Sequence, residues 1–312
     1  MKSLPPSRPP SAGPTCPPIA WIAWIAAVVG TLCLAGSGGC TDVYNDRVER
    51  TADWYRWENR LDETLGRREV FAGGVSLRLP KGFEELLPPE AAEGEIVAIG
   101  DDPAQPPFMA ELIPGAAGVF ERSITLPDGD GEASVPVRLY VFSNYELFRE
   151  AEGGGLEQTD LTVGGLDPAE YRFLVLPRLL GSLGFGVPDG EFFEDWTAPV
   201  SRPAFESEKS GTKLTLKTTA EDLRRRGVAG REVEAFRELY GETPMEISFY
   251  QVENGPVQAV LMLLTPVTNE PIDVARHFET LSLATMTIED TPAAAGEVAG
   301  GGEGGGRSGA GF

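Results

Sequence analysis

All three cysteines of this 312-residue chain, Cys16, Cys33 and Cys40, lie within its first 40 residues. The remainder can therefore form no internal disulfide. With one histidine in the chain, it also lacks the roughly four Cys and His ligands that a structural zinc site needs. A segment of about 220 residues is long enough to bury a single hydrophobic core. We therefore expect a body held by apolar packing, with no metal and no cofactor.

The charge balance excludes several classes of partner. Lys and Arg number 26 against 48 Asp and Glu, so the net charge is −22. Surfaces that bind nucleic acid, and polybasic patches that bind membranes, both need clustered Lys and Arg. We therefore expect no nucleic-acid partner.

The N-terminal segment has the organisation of a targeting signal. Lys2 and Arg8 are its only charges before Ile19–Ala35, a run of 17 uncharged residues. As a helix this run would be about 25 Å long, against about 30 Å for a bilayer core. The small residues 36–39 and Cys40 follow it, and signal cleavage requires small residues before the cut.

This arrangement resembles the signal of bacterial lipoproteins. Gly38 and Gly39 match the last two positions before the cysteine, whereas Ser37 stands where Leu is usual. The resemblance implies that residues 1–39 are removed as a signal peptide. It also implies that Cys40 receives a diacylglyceryl group and further acylation such as palmitate. The mature chain would then be anchored to a membrane of the cell envelope, with its body outside the cytoplasm.

Two alternatives remain open at this point. Cleavage after Ala35-Gly36-Ser37 would release an unmodified chain, because this tripeptide is also A-x-A-like. Retention of Ile19–Ala35 would instead make the chain a single-pass membrane protein. All three readings place the body outside the cytoplasm.

The chain divides into four predicted regions. They are the signal 1–39, a lipid-bearing cysteine with a helical spacer at 40–66, one α+β domain at 67–290, and a tail at 291–312. Nine of the 22 tail residues are Gly, a composition typical of disordered segments.

The spacer is predicted as one helix, Asp42–Leu65, capped by Gly66. Two apolar sets recur in it at helical spacing: Trp54, Trp57, Leu61 and Leu65, and Tyr44, Val48 and Tyr55. The simpler interpretation is a helix packed on the body. The alternative is that Trp54, Tyr55 and Trp57 form a contact surface for a protein partner or a membrane interface.

Period-two alternation and turn residues predict the rest of the domain. Strands are expected at Val75–Leu79, Glu95–Ile99, Val119–Leu126, Val135–Phe142, Tyr171–Leu176, Thr212–Thr218, Met245–Val252, Val257–Thr265 and Thr285–Ile288. Asn254-Gly255 predicts a hairpin, and the wholly apolar Val260–Leu264 predicts a central strand. Capping boxes predict helices after Ser143 and Thr218. Leu179–Thr197 is expected to be a loop, with Trp196 as a possible partner contact.

These elements predict an α+β fold with a mostly antiparallel sheet and a few flanking helices, preceded by the signal and the spacer helix. The strand before Pro80-Lys81-Gly82-Phe83, together with the closing hairpin, helix and short strand, resembles the Mog1/PsbP-type fold. That resemblance implies a binding or assembly factor.

Four motifs resemble parts of catalytic or binding sites, but each lacks the neighbouring residues or the structural setting that such a site requires. His277 has no G-x-S-x-G nucleophile to serve, and Ser210 with Lys213 has S-x-x-K spacing before a predicted strand. Asp128–Glu132 lacks the later residues of a calcium loop, and Arg224–Arg226 is flanked by acids. We predict no catalytic residue and no metal site from them.

The sequence therefore predicts a lipid-anchored envelope protein that binds or scaffolds an unidentified envelope partner without catalysis. The alternatives are an envelope hydrolase that uses carboxylates, and a single-pass protein anchored by Ile19–Ala35. Proximity of two carboxyls in a pocket would favour the hydrolase.

Overall fold

The structure, a computed structural model, describes residues 43–71, 73–87, 103–128, 131–146, 170–187, 192–198, 209–268 and 273–289. The predicted signal 1–39, Cys40, the strand Glu95–Ile99 and the tail 291–312 lie outside these residues. Within them, no helix combines the length and apolarity needed to cross a bilayer.

Helix α1 covers residues 43–64, close to the predicted spacer. It ends directly against strand β1, Leu65–Val70, so Gly66 lies inside a strand and the predicted C-cap there is wrong. The chain divides into two units, Met1–Trp57 and Glu58–Phe312, and the boundary falls within α1.

The second unit contains ten described strands and several helices. The other strands are β2 (Val75–Pro80), β3 (Glu84–Glu85), β4 (Ala116–Asp128), β5 (Gly131–Ser143), β6 (Glu194–Thr197), β7 (Ser210–Thr218), β8 (Met245–Asn254), β9 (Val257–Pro266) and β10 (Thr287–Ile288). The helices are α2 (Tyr171–Ser182), α3 (Ala220–Arg225), α4 (Gly230–Tyr240), α5 (Asp273–His277), a π-helical turn (Phe278–Ser282) and α6 (Leu283–Thr285).

Two antiparallel sheets organise this unit. Seven strands form the main sheet in the order β3-β4-β5-β9-β8-β7-β6, and three form a small sheet in the order β1-β2-β10. Every adjacent pair in both sheets is antiparallel. The predicted α+β class with a mostly antiparallel sheet is therefore confirmed.

Two tight hairpins build the centre of the main sheet. Strands β4 and β5 pair from Asp128↔Gly131 to Ala116↔Phe142, and the two residues between these strands, 129 and 130, lie outside the described residues. Strands β8 and β9 meet at Asn254↔Val257, which confirms the hairpin predicted from Asn254-Gly255.

Strand β9 lies at the centre because both of its faces are covered. All ten of its residues are buried, and it pairs with β5 on one side and β8 on the other. Its side chains alternate between two cores: Val260, Met262 and Leu264 enter the first, and Ala259, Leu261 and Leu263 enter the second. The apolar run therefore reflects two-sided burial, as predicted.

Helices cover one face of the main sheet. The first core joins strand residues to the apolar sides of α2, α3 and α4, including Val175, Leu223 and Phe236. The buried side of α4 is formed by Val233, Phe236 and Tyr240.

The opposite face is covered by the small sheet and the helical segment that starts at α5. The second core brings Val75, Leu77 and Leu79 of β2 together with Phe278 and Leu283. It also includes inward residues of β4, β5, β8 and β9. The main sheet is therefore the middle layer of three.

Two predicted elements are wrong in type or position. Tyr171–Leu176 is the first half of helix α2, not a strand, and Pro177 lies inside that helix. The helix predicted to be capped by Thr218 begins one residue later. Thr219 is its N-cap, and its hydroxyl accepts from the Asp222 amide while the Asp222 side chain accepts from the Thr219 amide.

Part of the expected loop Leu179–Thr197 is also regular structure. Leu179–Ser182 completes α2, and Glu194–Thr197 is the edge strand β6, so the loop prediction is wrong at both ends.

Candidate functional site

The predicted contact residues lie in both units. Cys40 lies outside the described residues, while Trp54, Tyr55 and Trp57 lie on α1 and Trp196 lies on β6. The Trp54 and Tyr55 rings meet edge to face with centroids 5.2 Å apart. Tyr55 is exposed, Trp54 is half-buried and Trp57 is buried. The three aromatic side chains on α1 thus differ in what they can present to a partner.

Three of the four exposed large apolar side chains of α1 follow one line along the helix, and the fourth, Val43, lies about 100° to one side of it. Tyr44 is 66% exposed, Val48 49% and Tyr55 59%. Their spacings of four and seven residues place them on the same side of an α-helix. We call Tyr44, Val48 and Tyr55 the aromatic stripe.

The charged residues of this part of α1 pair along the helix. Arg50 contacts Asp46 at 2.7 Å, and Arg56 forms a hydrogen bond with Asp53. The Thr51 hydroxyl donates to the Arg47 carbonyl at 2.8 Å, so this polar group is satisfied within the helix. The stripe therefore adjoins a helix surface whose polar groups are largely paired.

Trp196 covers part of the second core. It pairs across β6 and β7 with Gly211, where an added Cβ would lie 2.9 Å from Trp196 Nε1. Its ring meets Tyr250 edge to face at 6.2 Å, and its buried Nε1 has no hydrogen-bond partner among the described residues. The same Cβ would lie 2.1 Å from the Gln251 carbonyl oxygen, so glycine allows both the backbone of β8 and the indole to approach this position.

A carboxylate at the Tyr250 hydroxyl joins two other polar groups. Glu279 accepts from the Tyr250 hydroxyl at 2.6 Å and from Lys213 Nζ at 2.5 Å. Burial raises the pKa of Tyr250, and the neighbouring Glu279 carboxylate raises it further. Tyr250 therefore serves here as a neutral hydrogen-bond donor. Lys213 lies in strand β7, as predicted, whereas Ser210 also belongs to this strand and does not precede it.

A second polar cluster lies at the edge of the first core. Arg138 Nε donates to Glu121 at 2.7 Å across β4 and β5, and Arg138 Nη1 donates to the Tyr140 hydroxyl at 3.3 Å. The buried Tyr240 hydroxyl has no hydrogen-bond partner among the described residues. Burial raises the pKa of both Tyr140 and Tyr240.

Removal of the Tyr240 hydroxyl is expected to change the unfolding free energy very little at neutral pH. In Tyr240→Phe we expect a change in unfolding free energy within about 0.5 kcal/mol at pH 7, because the group forms no hydrogen bond that would be lost. The folded state keeps the tyrosine proton above the unfolded pKa, so stability falls as pH rises above about 10. One such tyrosine lowers the unfolding free energy by about 1.4 kcal/mol for each pH unit above that point. Tyr240→Phe removes this contribution, so its stability should fall less steeply than that of the parent protein. Urea unfolding between pH 7 and 11 measures the difference.

Tyr171→Phe is the matched control for that variant. Burial also raises the pKa of Tyr171, but its hydroxyl donates to the Pro114 carbonyl at 2.7 Å. We expect it to change the alkaline slope equally and to cost about 1 kcal/mol at pH 7. Equal costs for the two variants at pH 7 would contradict the unpaired state of the Tyr240 hydroxyl.

A cleft of about 620 Å³ opens between α4 and the segment 105–112. Gln105 holds that segment, because its amide donates to the Ile113 carbonyl at 2.8 Å and accepts from the Ile113 amide at 3.0 Å. The charged residues that line the cleft are Glu111, Arg231, Glu232, Glu234 and Glu238.

The cleft favours basic over acidic ligands by its charge. Glu111 lies 3.9 Å from Arg178, Glu234 pairs with Arg237 at 2.9 Å, and one buried oxygen of Glu232 has no partner among the described residues. The part of the chain that the structure describes contains no group of three or more His, Cys, Asp or Glu that could hold a metal ion.

Sequence reasoning missed the cleft and the Glu121–Arg138 pair. The spacing of Glu234 and Glu238 on a helix places them on one face, which is a readable signal. Glu111 gives no such signal, because its position opposite α4 depends on tertiary packing. Glu121 and Arg138 could have been paired by counting equal numbers of residues back from the Asp128–Gly131 turn.

Comparisons with known proteins identify no family. No family model matches this chain, and no curated protein matches it. A solved structure from Bacteroides thetaiotaomicron aligns with a TM-score of 0.28 and 9% identity over 72% of this chain. The alignment spans only 48% of that protein, about half of its length. A likeness at this level does not establish a common fold.

Proposed function

We propose that this chain is a lipid-anchored protein of the cell envelope, with a non-catalytic binding or scaffolding role. The observation that supports the proposal is that the chain is already helical at residue 43, three residues after Cys40, and that the exposed aromatic stripe lies on this part of α1. Helical residues this close to an acylated cysteine would present the stripe next to the anchor.

The lipid would supply the attachment itself. A single acyl chain binds a membrane only marginally, whereas two membrane signals give a stable anchor. The diacylglyceryl group and further acylation of the lipoprotein pattern meet that requirement. The acidic chain would disfavour broad contact with anionic headgroups, so the body would stay in the aqueous space for a partner.

Cys40→Ala tests the anchor. In a bacterial expression host, we expect the parent protein to start at Cys40, to carry added acyl mass and to partition into detergent. The variant should lose both the acyl mass and the detergent partitioning. Intact mass spectrometry and detergent-phase separation measure these properties.

Cys33→Ala is the matched control, because Cys33 lies within the predicted signal and should leave acylation unchanged. An intact chain retained in the membrane would show that Ile19–Ala35 is an anchor and would overturn the lipid proposal. A soluble, unmodified chain that starts near Gly38 would overturn both forms of anchoring.

A second candidate is an envelope hydrolase that uses carboxylates. The cleft supports it, because four glutamates line one cavity. Two of them, Glu111 and Glu234, already lie beside arginines, so we rank it second. Hydrolysis of chromogenic esters or glycosides by the purified chain, lost in Glu232→Gln, would make the hydrolase the better description.

A further inference from the structure

We propose that the aromatic stripe of α1 lies against a phospholipid bilayer, so that the first turns of the helix rest along the membrane surface beside Cys40. This inference rests on the proposed function, because the acyl chains bring the stripe to the lipid. It goes further by assigning a specific side of α1 to the membrane and the opposite side to water.

The geometry of the stripe suits a flat surface. From Tyr44 to Tyr55 the helix rises about 17 Å, and the three side chains fall within about 40° of one another around the axis. All three are exposed. Tyrosine combines an apolar ring with a polar tip, which makes it one of the residues enriched at membrane–water interfaces.

The one polar side chain along this line does not oppose contact with lipid. Thr51 lies within about 20° of Tyr44 around the helix axis. Its hydroxyl is already bonded to the Arg47 carbonyl at 2.8 Å, so its contact with lipid leaves no unsatisfied hydroxyl.

Charge separates the two sides of the helix. The acids of residues 43–57 are Asp46, Glu49 and Asp53, and each points about 140–180° away from Tyr44. A bilayer that meets the stripe would therefore leave all three acids on the water side. Arrangement of an apolar face opposite a charged one is typical of helices that lie in the interface plane.

The arginines occupy the flanks between these two sides. Arg47, Arg50 and Arg56 point about 60–120° away from Tyr44, which places them at the level of the lipid headgroups. They balance the three acids, so residues 43–57 carry no net charge while the whole chain carries −22. This segment is thus better suited to approach anionic lipid than the acidic chain as a whole.

Three side chains are too few to hold the chain on a membrane by themselves. The acyl chains at Cys40 would keep the stripe at a high effective concentration next to the bilayer, so that a weak contact becomes intramolecular. The inference therefore predicts how α1 is oriented, and it does not require the stripe to contribute measurably to overall membrane binding.

The test places a fluorophore on each side of the helix. An environment-sensitive dye is attached at Val48→Cys on the stripe, or at Asp53→Cys on the opposite side as the matched control. In the processed protein Cys16 and Cys33 are gone and the Cys40 sulfur is held in a thioether to the diacylglyceryl group, so the introduced cysteine is the one free thiol. The full mature chain is reconstituted into phosphatidylethanolamine and phosphatidylglycerol vesicles that contain a lipid-phase quencher.

We expect the dye at position 48 to be quenched about threefold or more strongly by the lipid-phase quencher than the dye at position 53, because an interfacial helix buries its apolar side about 5–10 Å deep. Iodide in the water should show the reverse order. Addition of Tyr44→Ser and Tyr55→Ser to the position 48 protein should reduce its lipid quenching while vesicle flotation stays unchanged. Circular dichroism checks that the helix is intact.

Three other results would overturn the inference. Iodide could quench both positions equally in a chain that carries one dye and floats with the vesicles. This result would show that the chain is anchored but that the stripe lies in water. Protection of position 48 from both quenchers would show that a second copy or another protein covers the stripe. Two dyes per chain by intact mass would show a free Cys40 thiol, so that the anchor and the inference would fail together.

Discussion

Gly115→Ala is expected to destabilise the second unit by about 3 kcal/mol or more, through left-handed backbone strain and an overlap with backbone. Gly115 has φ +72°, and an added Cβ would lie 2.1 Å from the Ser143 carbonyl oxygen and 2.6 Å from the Tyr171 hydroxyl. The Ser143 amide donates to the Gly115 carbonyl at 2.8 Å, so the two backbones cannot separate without loss of that bond.

Two other glycines serve as controls for that variant. Gly227 has φ +86°, and no atom lies within 4 Å of an added Cβ. Gly227→Ala therefore measures the cost of the left-handed backbone conformation alone, about 1 kcal/mol. Gly186 has no left-handed φ and open space around an added Cβ. Gly186→Ala should therefore leave the unfolding free energy nearly unchanged. Urea unfolding at pH 7 measures all three, and a Gly115→Ala cost no larger than that of Gly227→Ala would contradict the close approach.

Leu261→Ala is expected to cost about 2–5 kcal/mol of unfolding free energy, because it opens a cavity in the middle layer. Leu261 is fully buried in the second core at the centre of β9, where it pairs with Val141 of β5 and Tyr250 of β8. Backbone hydrogen bonds on both sides hold the strand in place, so the structure has little freedom to collapse around the missing side chain.

Leu87→Ala is the matched control, since it removes the same atoms from a side chain that is 71% exposed. We expect its effect to stay within about 0.5 kcal/mol. Urea denaturation with fluorescence and circular dichroism read in parallel compares the two variants. A Leu261→Ala cost as small as that of Leu87→Ala would mean that β9 is not the central strand.

Helix α2 shows where local pattern was misleading. Tyr171–Leu176 is rich in aromatic and aliphatic residues and stops at Pro177, which predicted a short strand. The buried residues continue at helical spacing across the proline, from Val175 before it to Leu179 and Leu180 after it. Contacts with the first core favour a helix that contains the proline. Tertiary packing outweighed propensity here.

The end of α1 and the start of α3 show a smaller error. Gly66 and Thr218 each satisfy a capping rule, yet the structure uses neither. Gly66 lies in strand β1 at a register irregularity between the paired residues Leu65 and Arg68. Thr219 with Asp222 offers the reciprocal cap one residue after Thr218. Neighbouring residues of similar capping ability can exchange roles at little cost, so position along the chain is the least certain part of such a prediction.

The sequence by itself determined the elements whose signals are local. The Asn254-Gly255 turn, the alternation of β2, β5 and β7 and the all-apolar core of β9 were readable because side-chain period and turn chemistry act over a few residues. The α+β class follows from their order. The lipoprotein pattern around Cys40 is likewise local, and it remains a prediction for the Cys40→Ala experiment.

Only the tertiary structure decided which distant residues meet. The strand order, the cleft between residues 105–112 and α4, the cover that Trp196 forms over Tyr250, and the exposure of the aromatic stripe all depend on packing between segments far apart in the chain. Burial is a property of the whole fold, because a side chain is covered only when some other element lies on it. No spacing rule within one element can supply that information.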